Sequence, residues 1–322
     1  MTRASPFRFV AADWGTSSLR LWLMEGDGVL GETRSADGMA SVPPGSFPAV
    51  LAARLAALGV EGTPEAPLPV VACGMVGARQ GWREAGYVDL PAVLADLPDR
   101  AVAVAADGVD LRILPGLSSR DEAAPDVIRG EETQLLGLAI DRPGLSALAC
   151  LPGTHGKWAR IEAGVVTAFS TAMTGELFAL LSARSILAHA IAAATPSGDP
   201  ESPAFRAGLD EALAGGDGLP TALFRIRARG LLFGASPQEA ADRLSGLLIG
   251  AEIAPWRGRG DGTVLLLAAG TMAGLYRAGL ERAGFTVETA DADACVRRGL
   301  AYAAARLWPA ASPSAPSDAS PR

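Results

Sequence analysis

Residues 13–20 read Asp13-Trp14-Gly15-Thr16-Ser17-Ser18-Leu19-Arg20, and this stretch decides the fold. The apolar run Phe7–Ala12 before it and Leu19–Met24 after it predict two strands, so the Gly-Thr-Ser segment is a tight turn between them. Such a turn can aim backbone N–H groups and hydroxyls at phosphate oxygens, while Asp13 holds the water shell of Mg²⁺. Taken alone, the segment also fits an ordinary hairpin turn.

A second Gly-Thr turn, with Gly153-Thr154-His155 at its centre, occurs near the middle of the chain. Leu148–Leu151 precedes it as an apolar strand, and a strand, turn and returning strand Val165–Thr171 follow. The pattern of strand, Gly-Thr turn and strand therefore appears twice. This repeat predicts two similar halves that each contribute a phosphate loop. Lys157 follows Gly156, but Leu151 and Trp158 stand where a Walker loop needs Gly and Ser or Thr, so that motif is rejected. His155 fits a loop hydrogen bond or a substrate contact, since a general base would need a carboxylate to orient it.

Around these turns the pattern is that of an α/β protein with a helical insertion. Strands are predicted at Val29–Ser35, Leu68–Cys73, Leu111–Leu114, Val264–Ala268 and Phe285–Thr289. Helices are predicted from the cap Ser46 to Leu58 and at Thr174–Ala194, Glu201–Ala214, Leu219–Leu231, Pro237–Ile253, Thr271–Ala283 and Ala292–Leu307. Where the strand ending at Ala268 meets the next helix, Gly270-Thr271 lets a flat base or ribose approach the backbone, although a plain strand-to-helix turn reads the same way.

Composition limits the function classes. The chain has 322 residues, with 28 Lys and Arg against 35 Asp and Glu and a net charge of −7, which disfavours nucleic acids and anionic membranes as partners. Three isolated cysteines in apolar stretches predict reduced core thiols. No run approaches the ~20 apolar residues needed to span a bilayer, so a cytoplasmic protein with a small-molecule partner is expected.

Six motifs, in order along the chain, resemble the 2-dehydro-3-deoxygalactonokinase family. They are Asp13–Arg20, Gly74-Met75-Val76-Gly77-Ala78-Arg79-Gln80-Gly81-Trp82, Arg129-Gly130-Glu131-Glu132-Thr133-Gln134, Pro152–Trp158, Met173-Thr174-Gly175-Glu176-Leu177-Phe178 and Ser245–Gly250. The resemblance implies a two-domain actin-like ATPase (ribonuclease H-like) fold. It places one domain at 1–143, a second at 144–308 with a helical insertion at about 184–254, and a disordered Ser, Pro and Ala tail at 309–322.

The resemblance further implies that ATP, with Mg²⁺ at Asp13, phosphorylates the terminal 6-hydroxyl of 2-dehydro-3-deoxygalactonate in galactonate catabolism. One carboxylate must then orient and deprotonate the attacking hydroxyl. Related sugar kinases carry an Asp after Gly at this place, and here Gly130 is followed by Glu131 and Glu132. We expect Glu131 to be the general base, with Glu132 as the alternative. A purely structural interpretation is that the two acids only stabilise the start of a helix through its dipole.

The carboxylate of such a substrate predicts an Arg fork. Arg79, beside Gln80 in a Gly-flanked loop, is the first candidate, and Arg20 and Arg227 are weaker ones because an Arg on a strand or helix is usually solvated or ion-paired. Trp82 is placed to pack either against the sugar or into the core.

Two other classes fit the same turns. One is a phosphatase of this superfamily acting on polyphosphate or phosphorylated nucleotides. The other is an actin-like regulatory ATPase, although no basic helix-turn-helix precedes Phe7 to support a repressor. A serine hydrolase is disfavoured because the Gly-x-Ser-x-Gly elbow is missing. The oligomeric state stays open between a monomer and a homodimer.

Overall fold

The computed structural model describes residues 7–259 and 262–309. The strands in these ranges are β1 (Arg8–Trp14), β2 (Leu19–Glu25), β3 (Gly28–Ser35), β4 (Leu68–Gly74), β5 (Tyr87–Asp89), β6 (Ala92–Val93), β7 (Val102–Ala106), β8 (Val109–Ile113), β9 (Gly116–Ser119), β10 (Asp126–Ile128), β11 (Ala147–Leu151), β12 (Gly156–Glu162), β13 (Val165–Ala172), β14 (Thr263–Leu267) and β15 (Thr286–Ala290). The α-helices there are α1 (Phe47–Ala57), α2 (Glu131–Asp141), α3 (Thr174–Arg184), α4 (Ala188–Ile191), α5 (Pro203–Ala214), α6 (Leu219–Phe233), α7 (Pro237–Ile253), α8 (Gly270–Arg282) and α9 (Ala292–Leu307). The predicted tail lies outside the described residues, apart from Pro309.

Two six-stranded sheets repeat one arrangement within the described ranges. In the first, with the order β3-β2-β1-β4-β8-β7, β1 is antiparallel to β2 and parallel to β4. In the second, with the order β15-β14-β11-β12-β13-β6, β11 is antiparallel to β12 and parallel to β14. The predicted duplication is therefore confirmed. Strands β10, β9 and β5 form a separate three-stranded sheet.

The last helix, α9, packs against both halves of the chain. Val296 and Leu300 lie in one buried cluster with Phe9 and Trp22 of the first sheet. Cys295 lies in another, with residues of α2 and of the second sheet. Strand β6 also crosses between the halves, since Val93 pairs with Val165 of β13. The predicted domain boundary at 143/144 stays a prediction.

The helical insertion differs from expectation at one place. The predicted helix Thr174–Ala194 is wrong, because it breaks into α3 and α4 at Ser185, whose backbone is extended. The Ser185 hydroxyl donates to the carbonyl of Leu181 at 2.6 Å and accepts the N–H of Leu187 at 3.0 Å. A serine that bonds the backbone in this way competes with the helical hydrogen bonds and ends the helix.

Smaller differences concern caps and short strands. Helix α1 follows Ser46 as predicted, but the Ser46 side chain makes no capping hydrogen bond. Strands β5, β6, β7, β9 and β10 were not predicted. The three cysteines are free and buried, which confirms that expectation. Among the described residues, no helix has the length and apolar character needed to cross a membrane.

Candidate active site

The first Gly-Thr turn lies at the carboxyl end of β1. The turn is closed by a 2.9 Å hydrogen bond from the N–H of Gly15 to the carbonyl of Ser18. Thr16, Ser17 and Ser18 are exposed, while Trp14 and Leu19 on either side are buried. The buried flanks fix the turn, and its three hydroxyls are free to face a ligand.

The Asp13 carboxylate is held at this turn by a cation. It is ion-paired with Arg20, the residue opposite it on β2, and its side chain is 16% exposed. Arg20 also pairs with Asp293 of α9, which in turn accepts from Arg34 at 2.9 Å. Burial lowers the pKa of Arg20, but the two carboxylates outweigh it and raise that pKa above its ordinary value. Arg20 is therefore occupied by acids of the chain.

The second Gly-Thr turn is placed between β11 and β12 and rests on the start of α3. Gly153, Thr154 and His155 are exposed. The N–H of Glu176 donates to the carbonyl of Thr154 at 3.0 Å, and the Glu176 carboxylate lies 2.5 Å from Nε2 of His155. Glu176 is thus the carboxylate that orients the His155 ring.

Glu131, the first residue of α2, contacts the strand that follows the second turn. Its Oε1 lies 2.9 Å from Nζ of Lys157, and its Oε2 accepts the N–H of Arg129 at 3.2 Å. Lys157 is the second residue of β12, just after the second turn, and also donates to the carbonyl of His155 at 2.5 Å. A carboxylate from the first half of the chain therefore meets a cation from the second.

Glycines bring the start of α2 close to the first turn. Gly130 precedes α2 and Gly74 ends β4 beside Trp14. A β-carbon on Gly130 would lie 3.4 Å from the Cα of Gly74, and their φ angles are +104° and +91°. L side chains rarely adopt such angles, so glycine is required for this approach.

Glu132, the next residue of α2, is completely buried. Its carboxylate accepts the N–H of Gly130 at 2.5 Å and the hydroxyl of Thr133 at 2.9 Å. Burial, followed by repulsion from Glu131, raises the pKa of Glu132 to about 7. Adjacent residues on a helix face different ways, and here only Glu131 is partly exposed, at 24%.

An apolar cavity of about 310 Å³ adjoins the second turn. Its lining includes Thr174, Phe178, Pro196, Leu248, Thr271 and Met272. Gly270 begins α8 at the edge of this cavity with a φ angle of +58°. Mostly apolar walls of this size suit a flat heterocycle.

The chain is similar in sequence and in fold to known proteins. A family model described as 2-keto-3-deoxy-galactonokinase matches residues 13–303. A Rhizobium meliloti (strain 1021) protein assigned as a 2-dehydro-3-deoxygalactonokinase is 46% identical over 305 residues, covering 94% of this chain and 98% of that protein. The 2-dehydro-3-deoxygalactonokinase of Escherichia coli (strain K12) is 35% identical over 295 residues, covering 91% and 96%.

The chain belongs to this 2-dehydro-3-deoxygalactonokinase family. The crystal structure of a Sinorhizobium meliloti protein assigned to the same activity matches with a TM-score of 0.87 at 45% identity, covering 94% of this chain and all of that one. Component A of the (R)-2-hydroxyglutaryl-CoA dehydratase of Acidaminococcus fermentans shares the fold alone, with a TM-score of 0.50 at 13% identity and coverage of 94% and 99%. The predicted α/β actin-like ATPase fold is confirmed. The family match supports neither the phosphatase nor the regulatory ATPase alternative.

The residues predicted to bind substrate differ in their exposure and in their position relative to the two turns. Arg79 and Gln80 are exposed in the loop after β4, which starts beside the first turn. The Trp82 ring stacks on Phe47 at 6.1 Å, as a core residue does. Arg227 lies on α6, and no hydrogen bond or ion pair within the described ranges joins it to the site.

Two further candidate functional residues, Lys157 and Glu252, were not predicted from the sequence. Lys157 was considered only as part of a rejected Walker motif. Glu252 of α7 is buried under the second turn, where it accepts from Trp158 Nε1 at 3.0 Å, from the Tyr276 hydroxyl at 2.6 Å and from the Thr174 hydroxyl. The Glu252 charge raises the pKa of Tyr276, after burial as the main cause. The partners of Glu252 are 24 to 94 residues away. The carboxylate partner of Lys157 lies on α2, a different element, so no local pattern could reveal either residue.

Proposed function

We propose that this chain transfers the γ-phosphoryl group of ATP to the terminal 6-hydroxyl of 2-dehydro-3-deoxygalactonate. The observation that carries the proposal is the position of Glu131 in a chain of this family. Glu131 contacts Lys157 beside the second turn, and it follows Gly130, which packs against Gly74 beside the first. Phosphoryl transfer needs the reactants positioned and charge neutralised, with one carboxylate directed at the attacking hydroxyl. The residues around the two turns offer candidates for each of these roles.

The nucleotide would be held by groups from both halves. Thr16, Ser17 and Ser18 of the first turn and Gly153, Thr154 and His155 of the second supply hydroxyls, N–H groups and an imidazole for the phosphates. The adenine ring of ATP would enter the apolar cavity beside Gly270 and Thr271. A histidine held by Glu176 can donate to a phosphate oxygen.

Magnesium fits the residues of the first turn. In the described part of the chain, no cluster of three His, Cys, Asp or Glu residues could hold a metal by itself. Mg²⁺ at kinase sites binds through one or two carboxylates, water and the phosphates of its substrate, so the single Asp13 carboxylate suffices. When bound, Mg²⁺ would neutralise charge on the phosphates. The ion pair with Arg20 holds the Asp13 carboxylate in place at this turn.

Glu131 would act as the general base. As the sugar hydroxyl oxygen bonds to the γ-phosphorus, its proton passes to the Glu131 carboxylate and ADP leaves. Glu132 would support the start of α2, since it has no exposed surface and its oxygens accept from Gly130 and Thr133.

Arg79 and Gln80 would recognise the carboxylate of the sugar acid. The guanidinium of Arg79 has no partner among the described residues and lies on the exposed loop that begins beside Asp13. Trp82 would then hold this loop through its packing on Phe47 rather than contact the sugar. Arg20 and Arg227 remain weaker candidates. Arg20 is occupied by two acids, and among the described residues no hydrogen bond or ion pair joins Arg227 to the two turns.

A single assay tests the proposed function. The purified protein is incubated with ATP, Mg²⁺ and a panel of sugar acids and aldoses, and ADP release is followed together with the mass of the product. We expect 2-dehydro-3-deoxygalactonate to gain one phosphoryl group at its terminal hydroxyl. Phosphorylation of an unrelated aldose, with no turnover of the sugar acid, would contradict the proposal. Because ATP and such sugar acids are handled in the cytoplasm, we place the protein there, in galactonate catabolism.

A further inference from the structure

The ammonium of Lys157 lies between the two halves of the candidate site. Its side chain is only 6% exposed, and it bridges Glu131 Oε1 and the carbonyl of His155. One partner belongs to the proposed base and the other to the second phosphate turn. The cation therefore lies between the proposed base and the second turn.

This ammonium retains unused bonding capacity. A lysine has three N–H donors. Within the described ranges, Glu131 and His155 are the only polar partners of Nζ. Burying a lysine costs several kcal/mol unless the charge is compensated. The chain thus maintains a buried cation with a spare donor beside the proposed base and the second turn.

The backbone fixes where this charge can act. Lys157 pairs with Leu151 of β11 and Thr171 of β13, so its Cα is set by two neighbouring strands at the base of the second turn. A compact ammonium suits a tetrahedral phosphoryl group, to which it binds as a point charge.

We propose that Lys157 is a catalytic residue that donates a hydrogen bond to an oxygen of the γ-phosphoryl group during transfer. This inference rests on the proposed kinase function. The sugar hydroxyl oxygen forms a bond to the γ-phosphorus, and the bond from that phosphorus to the bridging oxygen breaks with its electron pair remaining on ADP. The hydroxyl proton goes to Glu131. Lys157 keeps its own protons and stabilises the charge on the equatorial oxygens.

The competing explanation is that Lys157 only holds Glu131 in place. The two roles differ in their effect on nucleotides, because ATP carries the γ-phosphoryl group and ADP does not. In Lys157→Met, we expect the affinity for ATP with Mg²⁺ to fall about 10- to 100-fold, which is the loss of one charge-assisted hydrogen bond, while the affinity for ADP is unchanged. Equal losses of affinity for ATP and for ADP in Lys157→Met would overturn the proposal. This binding test needs no sugar acid, so it is independent of the substrate assignment.

A double-mutant cycle provides the second test. If Lys157 touches the phosphoryl group, Lys157→Met lowers kcat by a further factor of about 10 to 100 in the Glu131→Gln background as well. If it acts only through Glu131, the second substitution has no effect there, and the proposal fails. Lys157→Arg keeps the charge and should restore part of the ATP preference. Should Lys157→Met not fold, Lys157→Gln enters the same comparisons, with the same outcomes deciding.

Discussion

At the scale of single residues, the first turn depends on a carboxylate whose charge is balanced within the chain. Asp13 pairs with Arg20, and Arg20 has a second acid partner in Asp293. Removing the Asp13 charge therefore leaves Arg20 paired and the strand intact. A substitution of Asp13 can therefore test its chemical role without unfolding the strand.

We predict that Asp13→Asn lowers kcat about 100-fold or more while the unfolding midpoint changes little, because an amide orients the Mg²⁺ water shell far less well than a carboxylate. The measurement is kcat across a magnesium titration, together with thermal unfolding. Asp27→Asn, on the exposed turn between β2 and β3, is the matched control and should behave as wild type. Normal turnover in Asp13→Asn would remove Asp13 from the mechanism.

Glu131 and Glu132 are adjacent but have different surroundings, so their amide variants should differ. We expect Glu131→Gln to lower kcat by about 10²–10⁴-fold, the usual cost of losing a general base, with nucleotide affinity nearly unchanged. Glu132→Gln should retain most turnover, since Glu132 has no exposed surface. Both variants are assayed side by side for kcat and ATP binding. A collapse of turnover in Glu132→Gln alone would transfer the role to Glu132.

The buried Glu132 also predicts a pH dependence of stability. Its pKa is raised in the folded protein from 4.5 to about 7, so the folded state holds a proton that the unfolded state has released. This contribution to stability is fully present below pH 4.5 and is lost as the pH rises through 7. The unfolding midpoint of wild type should therefore fall more steeply between pH 4.5 and about pH 7 than that of Glu132→Gln. Parallel curves would show that Glu132 is not protonated in the fold.

At the scale of elements, the loop after β4 is fastened at two points. Trp82 packs against Phe47 of α1 and Trp14 of β1. At its far end, Arg129 donates to the carbonyl of Gly86 at 2.7 Å and lies over the Tyr87 ring at 4.5 Å. Arg129 directly precedes Gly130, so the loop is connected to the start of α2. Arg79 is thus presented from a supported segment.

We predict that Arg79→Ala raises KM for the sugar acid about 10- to 100-fold and leaves KM for ATP unchanged, because one charge-assisted contact to one substrate is lost. Arg83→Ala, an exposed arginine of the same loop, is the control that should change neither constant. The measurement is the pair of KM values for each variant. Equal increases in both for Arg79→Ala would indicate a defect in folding or closure.

How far the sequence predicts these elements depends on how local their causes are. The meander β1 to β3 and helix α9 were predicted almost to the residue, because apolar spacing and turn residues specify them. The break at Ser185 was missed, since a serine hydroxyl competes with the helix only when its geometry allows. Strand β6 has two residues and exists through its partner β13, so no pattern of its own could predict it.

The predictability of the site residues also depends on how local their causes are. The two Gly-Thr turns could be predicted because each is a contiguous motif. Lys157 was misjudged because its meaning comes from Glu131, which is on another strand-helix unit of the fold. Trp82 could be read either way from sequence, and the rings of Phe47 and Trp14 decide in favour of packing.

At the scale of the whole molecule, α2 and α9 cross at close range and link the two halves. A β-carbon on Gly137 of α2 would lie 1.9 Å from the carbonyl oxygen of Cys295, and one on Gly299 of α9 would lie 2.2 Å from that of Thr133. Only glycine permits this backbone contact. Because α2 begins with Glu131 and α9 carries Asp293, the crossing also sets the distance between the proposed base and the first turn.

We predict that Gly137→Ala destabilises the protein by about 1–3 kcal/mol, because the added methyl group forces the two helices apart. Activity should fall at temperatures where the variant is still folded, since moving α2 displaces Glu131 relative to both turns. The control is Gly274→Ala in α8, where a β-carbon meets no atom within 4 Å and alanine favours the helix, so stability should hold or rise. The measurements are thermal unfolding and kcat for both variants. If Gly137→Ala matched Gly274→Ala in both, the crossing would have room to adjust, and the link from the α2–α9 contact to the position of Glu131 would be wrong.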